Sequence, residues 1–176
     1  VMFLHADMYA CPNLDTEILK HLERGTVVSA TRIEPPLHPD GPEKILQDFG
    51  IEPEEFDELG LMKFLEEKTP WTKIIEQELK ETTEGIFAPW AIYKEDYEKV
   101  GGHDELFAPQ SKEDSDIFNR MHLLDYKFVQ TWKGLVYHMT SRGSRFNPMA
   151  GGAPGKDSPE WIHTTTKNMR NFIRKW

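Results

Sequence analysis

The stretch Val100–Asp116, V-G-G-H-D-E-L-F-A-P-Q-S-K-E-D-S-D, restricts the possible folds more than any other part of the chain. Gly101 and Gly102 permit a tight bend, because glycine enters left-handed backbone without steric penalty. A polar loop with His103, Asp104 and Glu105 follows, delivering Glu113, Asp114 and Asp116 to the first turn of a helix, where the backbone dipole favours negative charge. Ser111 reads as the N-cap, with Asp114 three residues on as the acid of a capping box. Ile117, Phe118, Met121 and Leu124 recur at the helical period and mark the buried face. An acidic first turn alone is only a cap. The Gly-Gly bend before it and Asp125-Tyr126-Lys127 after it make this segment more specific.

The rest of the chain reads as α/β. Val1–Leu4 is apolar throughout, as expected of a strand buried on both faces, and it starts abruptly, as a fragment or processed chain would. His5-Ala6-Asp7 ends that strand, and in open α/β sheets ligands bind beyond the carboxyl ends of strands. A short helix is expected over Asp15–Arg24, with Gly25 as its stop. A β-branched strand follows over Thr26–Ile33, ended by Pro35-Pro36. Residues 42–80 read as an acidic helical insertion broken at Gly50, Pro53, Gly60 and Pro70. Trp71 in it is more a core aromatic than a sugar platform. A strand over Gly85–Tyr93 leads into the opening motif. Two short strands broken at Lys133-Gly134 span Phe128–Tyr137 and end at His138. Residues 148–176 complete the domain of 1–147 with a mobile loop and an amphipathic helix. Ser158 caps that helix, and Trp161, Met169, Phe172 and Ile173 are expected to dock it.

Composition excludes several classes. The 176 residues suffice for one domain with a real core. No apolar run approaches the roughly 20 residues of a membrane span, and a net charge of −9 argues against nucleic acid or an anionic membrane as main partner. Thirteen acids and five lysines between Glu43 and Glu84 hold most of that excess, whereas Arg142–Trp176 has seven basic residues and two acids. The single Cys11 excludes an internal disulfide, in keeping with a reducing, cytoplasmic location.

From Tyr97 to Arg120 the chain resembles the acceptor half of family-two glycosyltransferases of the GT-A fold. Their pattern is V-G-G-F-D-E-x-F, a short loop, E-D-x-D, then a helix with an Arg; His103 stands where the family usually has Phe. The resemblance implies a GT-A-type, mostly parallel sheet flanked by helices, here lacking the N-terminal strands that bind the nucleotide base. It implies Asp114 as catalytic base, with Glu113 beside it. It implies a D-x-D position at His5-Ala6-Asp7, whose last Asp, together with His138, binds the metal, Mn²⁺ or Mg²⁺. His5 replaces the first Asp and is the weaker ligand. Arg142 and Arg145, in a Gly- and Pro-rich loop, would lie against the donor diphosphate. Trp90, Asp104 and Glu105 are candidates for the acceptor side. The implied partners are a UDP- or GDP-type sugar donor and a glycan, lipid or other hydroxyl acceptor.

The expected chemistry is therefore metal-dependent transfer of a sugar from a nucleoside-diphosphate donor to a hydroxyl, with inversion. Two other classes compete with it. A sugar-nucleotide nucleotidyltransferase would share fold and metal but needs an upstream basic phosphate-binding loop. A non-catalytic sugar- or nucleotide-binding fragment would show no turnover.

Overall fold

The computed structural model describes residues 1–67, 79–82, 86–140 and 158–176. Among them the chain forms β1 (Met2–Phe3), β2 (Met8–Ala10), α1 (Leu14–Leu19), β3 (Thr26–Glu34), β4 (Lys44–Leu46), α2 (Glu58–Glu66), β5 (Leu79–Glu81) and β6 (Trp90–Ala91). Then come α3 (Lys94–Val100), α4 (Glu113–Leu123), β7 (Lys127–His138) and α5 (Pro159–Lys175). The strands make one seven-stranded sheet in the order β1-β6-β3-β7-β2, with β4 added to β3 and β5 to β7.

β3 is the axis. Its residues are buried at every position, which fits a β-branched run with sheet on both sides. It pairs in parallel with β7 and β4, but antiparallel with β6. The pairs β1–β6, β2–β7 and β5–β7 are antiparallel too. The sheet is therefore mixed rather than mostly parallel, because β6, β2 and β5 each run against the central strand they join.

Helices cover both faces. The alternation along β3 sends Val27 to one face with Trp90, Ile92, Phe128 and the α4 residues Ile117 and Met121. Val28 and Ala30 point the other way, to Leu14 and Ile18 of α1. A third cluster lies around Ile33, Leu135 and Tyr137, capped by Phe49 from the segment after β4 and by Leu61 of α2. Burial of such side chains contributes about 1.5–3 kcal/mol each, the main favourable term for a chain of this size.

Several expectations change. Val1–Leu4 is not a doubly buried strand: only Met2–Phe3 pair, on one side, and Val1, Met2 and Leu4 are exposed. β7 is continuous; the break expected at Lys133-Gly134 is an irregularity where the register with β3 moves from Ala30↔Thr131 to Thr31↔Leu135. Such an irregularity absorbs extra residues without ending the strand. Residues 42–80 are not only helical, since β4 and β5 join the sheet; Trp71 lies outside the described residues. Ser111 does not cap α4. Ser111 and Lys112 both have left-handed backbone, φ 79° and 75°, so Lys112 occupies the cap position without a side-chain hydrogen bond. Leu124, Met169 and Ile173 are exposed rather than buried.

Candidate metal and acid–base site

Three strand ends build one polar corner. β2 lies antiparallel to the end of β7 with Met8 opposite His138, and the Met139 amide donates to the Asp7 carbonyl at 3.0 Å. On the other side of β7, Ile33 pairs with Tyr137, so Glu34 and His138 both sit one residue further along parallel strands. Backbone pairing alone therefore brings the turn between β1 and β2 to the carboxyl ends of β3 and β7, where open α/β sheets bind ligands.

His5, Asp7 and His138 meet there, each offering a ligand atom within 4.8 Å of the others. His138 Nε2 is 3.6 Å from Asp7 Oδ1, and the two imidazole rings stand edge to face at 5.9 Å. Ligands at ~2.0–2.6 Å from one ion lie at such mutual distances, and two imidazoles with one carboxylate form a donor set that suits a first-row divalent ion. The residues thus fit the metal that the sequence suggests, with a carboxylate for Mn²⁺ or Mg²⁺ and imidazoles that favour Mn²⁺.

Glu34 was not anticipated from the sequence. It is 2% exposed, and Oε2 lies 3.1 Å from His138 Nδ1. Its other oxygen faces Lys44 Nζ at 3.1 Å and the Arg32 guanidinium at 3.7 Å. Burial pushes this carboxyl up, but the bond to His138 and the charges of Arg32 and Lys44 overcome it, holding it down at about 2. Burial likewise opposes charge on His138, and Asp7 and Glu34 outweigh it, so the imidazole titrates above its ordinary value. A Glu ending a β-branched strand before Pro-Pro is the only sequence signal, and it is weak.

The acidic motif lies one aromatic layer away. Phe3, two residues before His5, stacks on Trp90 at 4.2 Å and packs against His103 at 5.1 Å. His103 Nε2 in turn stands 3.7 Å from Asp114 Oδ1, while its Nδ1 is 3.0 Å from the Tyr97 hydroxyl, which accepts from the His103 amide. If Tyr97 donates to Nδ1, the ring proton sits on Nε2, facing Asp114. Asp114 keeps 40% of its side chain exposed, open to a substrate.

Asp116, two residues on, has a different task. It is fully buried, accepts from Arg120 Nε at 3.0 Å and from the Trp176 indole at 3.0 Å, and lies 2.8 Å from Lys175 Nζ. Arg120 also donates to the carbonyls of Val100 and Gly102, both at 2.6 Å, which fixes the Gly-Gly bend against α4. Glu113 is half-buried at the start of α4. Asp104 caps the short turn over Glu105–Phe107 through the Leu106 amide at 2.8 Å and pairs with Lys175 at 2.6 Å. Its carboxyl is held below the ordinary range, chiefly by Lys175. Glu105 is exposed. Trp90 is 1% exposed, so its ring is spent in the core rather than offered to an acceptor. Arg142 and Arg145 lie outside the described residues.

An open cleft of about 470 Å³ lies elsewhere, between Cys11–Asn13, Met62, Leu65 and Lys133, and includes none of the expected site residues. Cys11 is buried there, and burial pushes its thiol up to about 12, which leaves it inert as a nucleophile.

No protein-family model matches the chain. No curated protein matches it either. Among the described residues no helix is long and apolar enough to cross a membrane.

Proposed function

We propose that this chain is the catalytic and acceptor-side part of a GT-A-type glycosyltransferase, which moves a sugar from a nucleoside-diphosphate donor to an acceptor hydroxyl. The observation that carries the reading is the meeting of His5 and Asp7 with His138, from opposite ends of the sequence, at the carboxyl ends of β3 and β7. Asp7 and His138, with His5 as third donor, would hold Mn²⁺ or Mg²⁺, which when bound supplies Lewis-acid neutralisation of the departing diphosphate charge.

The remaining work falls to the chain's own groups. Asp114 takes the proton from the acceptor hydroxyl as it attacks the anomeric carbon, so that one C–O bond forms as the bond to the diphosphate breaks, with inversion. Its exposed carboxylate beside His103 supports that role, and the full engagement of Asp116 argues for Asp114 as the base. Glu113 is the next carboxylate in line. Arg142 and Arg145 would add positive field along the diphosphate. Asp104 acts by holding the loop, which leaves Glu105 as the group free to meet an acceptor.

Calorimetry with UDP and GDP, with Mn²⁺ or with chelator, tests the reading. Metal-dependent binding is expected, and Asp7→Ala or His138→Ala should weaken it. Asp114→Asn should keep binding while transfer falls by about 10²–10⁴-fold, the usual share of a positioned base. Absence of metal-dependent nucleotide binding overturns the reading; an Asp114→Asn protein with full activity removes only Asp114 as the base and passes that role to Glu113 or Asp104.

A further inference from the structure

We infer that Glu34 is a positioning residue for the metal site: its carboxylate fixes the ring and the proton of His138 so that Nε2 is presented as a ligand. The inference rests on the metal-site reading above and adds to it a residue that the acidic motif and the H-A-D strand end do not contain.

The division of labour between the two Glu34 oxygens is the main observation. Oε1 faces the cations, Lys44 at 3.1 Å and Arg32 at 3.7 Å. Among the described residues Oε2 is bonded to the imidazole, with Nδ1 at 3.1 Å. A carboxylate is an acceptor only, so the proton of that bond sits on Nδ1. The lone pair then falls on Nε2, the nitrogen that points towards Asp7 at 3.6 Å. A carboxylate behind a ligating histidine also makes the imidazole a better donor, and loss of such a partner typically lowers metal affinity by 10–100-fold.

Neutralising Arg32 and Lys44 is a competing explanation for a buried Glu34, and the cluster itself limits it. Arg32 has a second carboxylate, Glu43, at 3.0 Å. Arg32 is also covered by the Phe87 ring at 4.8 Å. The two cations in turn hold Glu34 from its far side, which leaves Oε2 little freedom to swing away from His138. Arg32 and Lys44 are thus the clamp, Glu34 the lever, and His138 the group that is aimed.

The test is Mn²⁺ binding to the whole chain, followed by electron paramagnetic resonance of free Mn²⁺, with Glu34→Gln as the variant. Glutamine keeps the shape but carries no charge, and its amide can face Nδ1 by either end. Mn²⁺ affinity is expected to fall by about 10–100-fold. Lys44→Met removes one of the two cations behind Glu34 and leaves the carboxylate, Arg32 and the bond to His138 in place, so its loss of affinity should be clearly smaller than that of Glu34→Gln; an equal loss overturns the role of Glu34. Where Glu34→Gln alone fails to fold, the charge-balanced Glu34→Gln/Lys44→Met pair takes its place and should show the same loss. Nitrogen-15 spectra of His138 without metal, at a pH where it is neutral, should show one Nδ1–H tautomer in wild type and a mixture in the variant. Equal Mn²⁺ affinity in wild type and the Glu34 variants overturns the role of Glu34 and leaves the metal site standing. A wild-type chain that does not bind Mn²⁺ overturns both.

Discussion

Tyr137 shows how much one side chain organises at the residue scale. It is fully buried beside His138, stacks on Phe56 at 5.3 Å, accepts from the Phe49 amide at 2.9 Å and donates to the Gly50 carbonyl at 2.6 Å. It thereby ties the irregular chain after β4 to the strand that ends in the site. Tyr137→Phe keeps the ring and strands the buried Phe49 amide and the partly buried Gly50 carbonyl, so about 1–3 kcal/mol of stability should go. Urea unfolding reads this as a lower midpoint at unchanged slope. None of this was visible in sequence, where Tyr137 is one more aromatic in a β-rich run. Asp7 and His138 stood out through the family resemblance, which implies metal ligands at these two strand ends; the strand-end position alone is a weak signal. Glu34 did not stand out, because its meaning lies in Lys44 and His138, partners that sheet pairing supplies. Trp90, a candidate for the acceptor side, escaped for a similar reason: Phe3 and Phe118, distant in sequence, bury it.

At the scale of elements, α5 is the piece whose ends were legible and whose purpose was not. Ser158 accepts from the Trp161 amide at 3.1 Å with Pro159 next, as the sequence indicates. The docking face, however, centres on Asn168, which is fully buried and donates to the carbonyls of Phe107 and Gln110, both at 2.7 Å. Hydrophobic periodicity does not mark an asparagine as a core residue, and it assigned Met169 and Ile173 to the docking face although both are exposed. α5 is thus a brace for the loop between the Gly-Gly bend and Asp114, reinforced by Lys175 on Asp104 and Asp116. Asn168→Ala should cost about 1–3 kcal/mol by leaving the buried Phe107 carbonyl and the partly buried Gln110 carbonyl without that donor. Limited proteolysis should then cut first within 104–112. Resistance of that loop equal to wild type would show that α5 does not brace it. The strand at Thr26–Glu34 was read almost to the residue because burial on both faces leaves a run rich in β-branched residues with Pro-Pro as its stop. β4 and β5 were missed because three-residue strands carry no periodicity.

For the whole molecule, charge pairing sets the response to pH. Arg24 beside Asp96 and Lys175 beside Asp104 hold those carboxyls below their ordinary range, and Glu34 stays near about 2 despite its burial. Groups of this kind contribute fully above their unfolded values of about 3.9–4.3, and the contribution is lost as pH falls through the folded ones. His138 has the opposite sign: its raised value adds stability below about 6.5, lost as pH rises through the folded value. Stability of the metal-free chain should therefore peak between about pH 4.5 and 6.5 and fall steeply below 4, with a shallower acid limb in Asp96→Asn. A flat profile from pH 6 to 2 would contradict these pairings. The central pairing of β3 with β7 also dictates an order of events during synthesis. β3 leaves the ribosome about 100 residues before its parallel partner, carrying a run destined for complete burial and nothing yet to cover one edge. His5 and Asp7 are made well before His138, and their corner closes only once His138 has emerged. A chain halted anywhere in between leaves that run uncovered and the proposed metal corner open, and is prone to associate until β7 arrives.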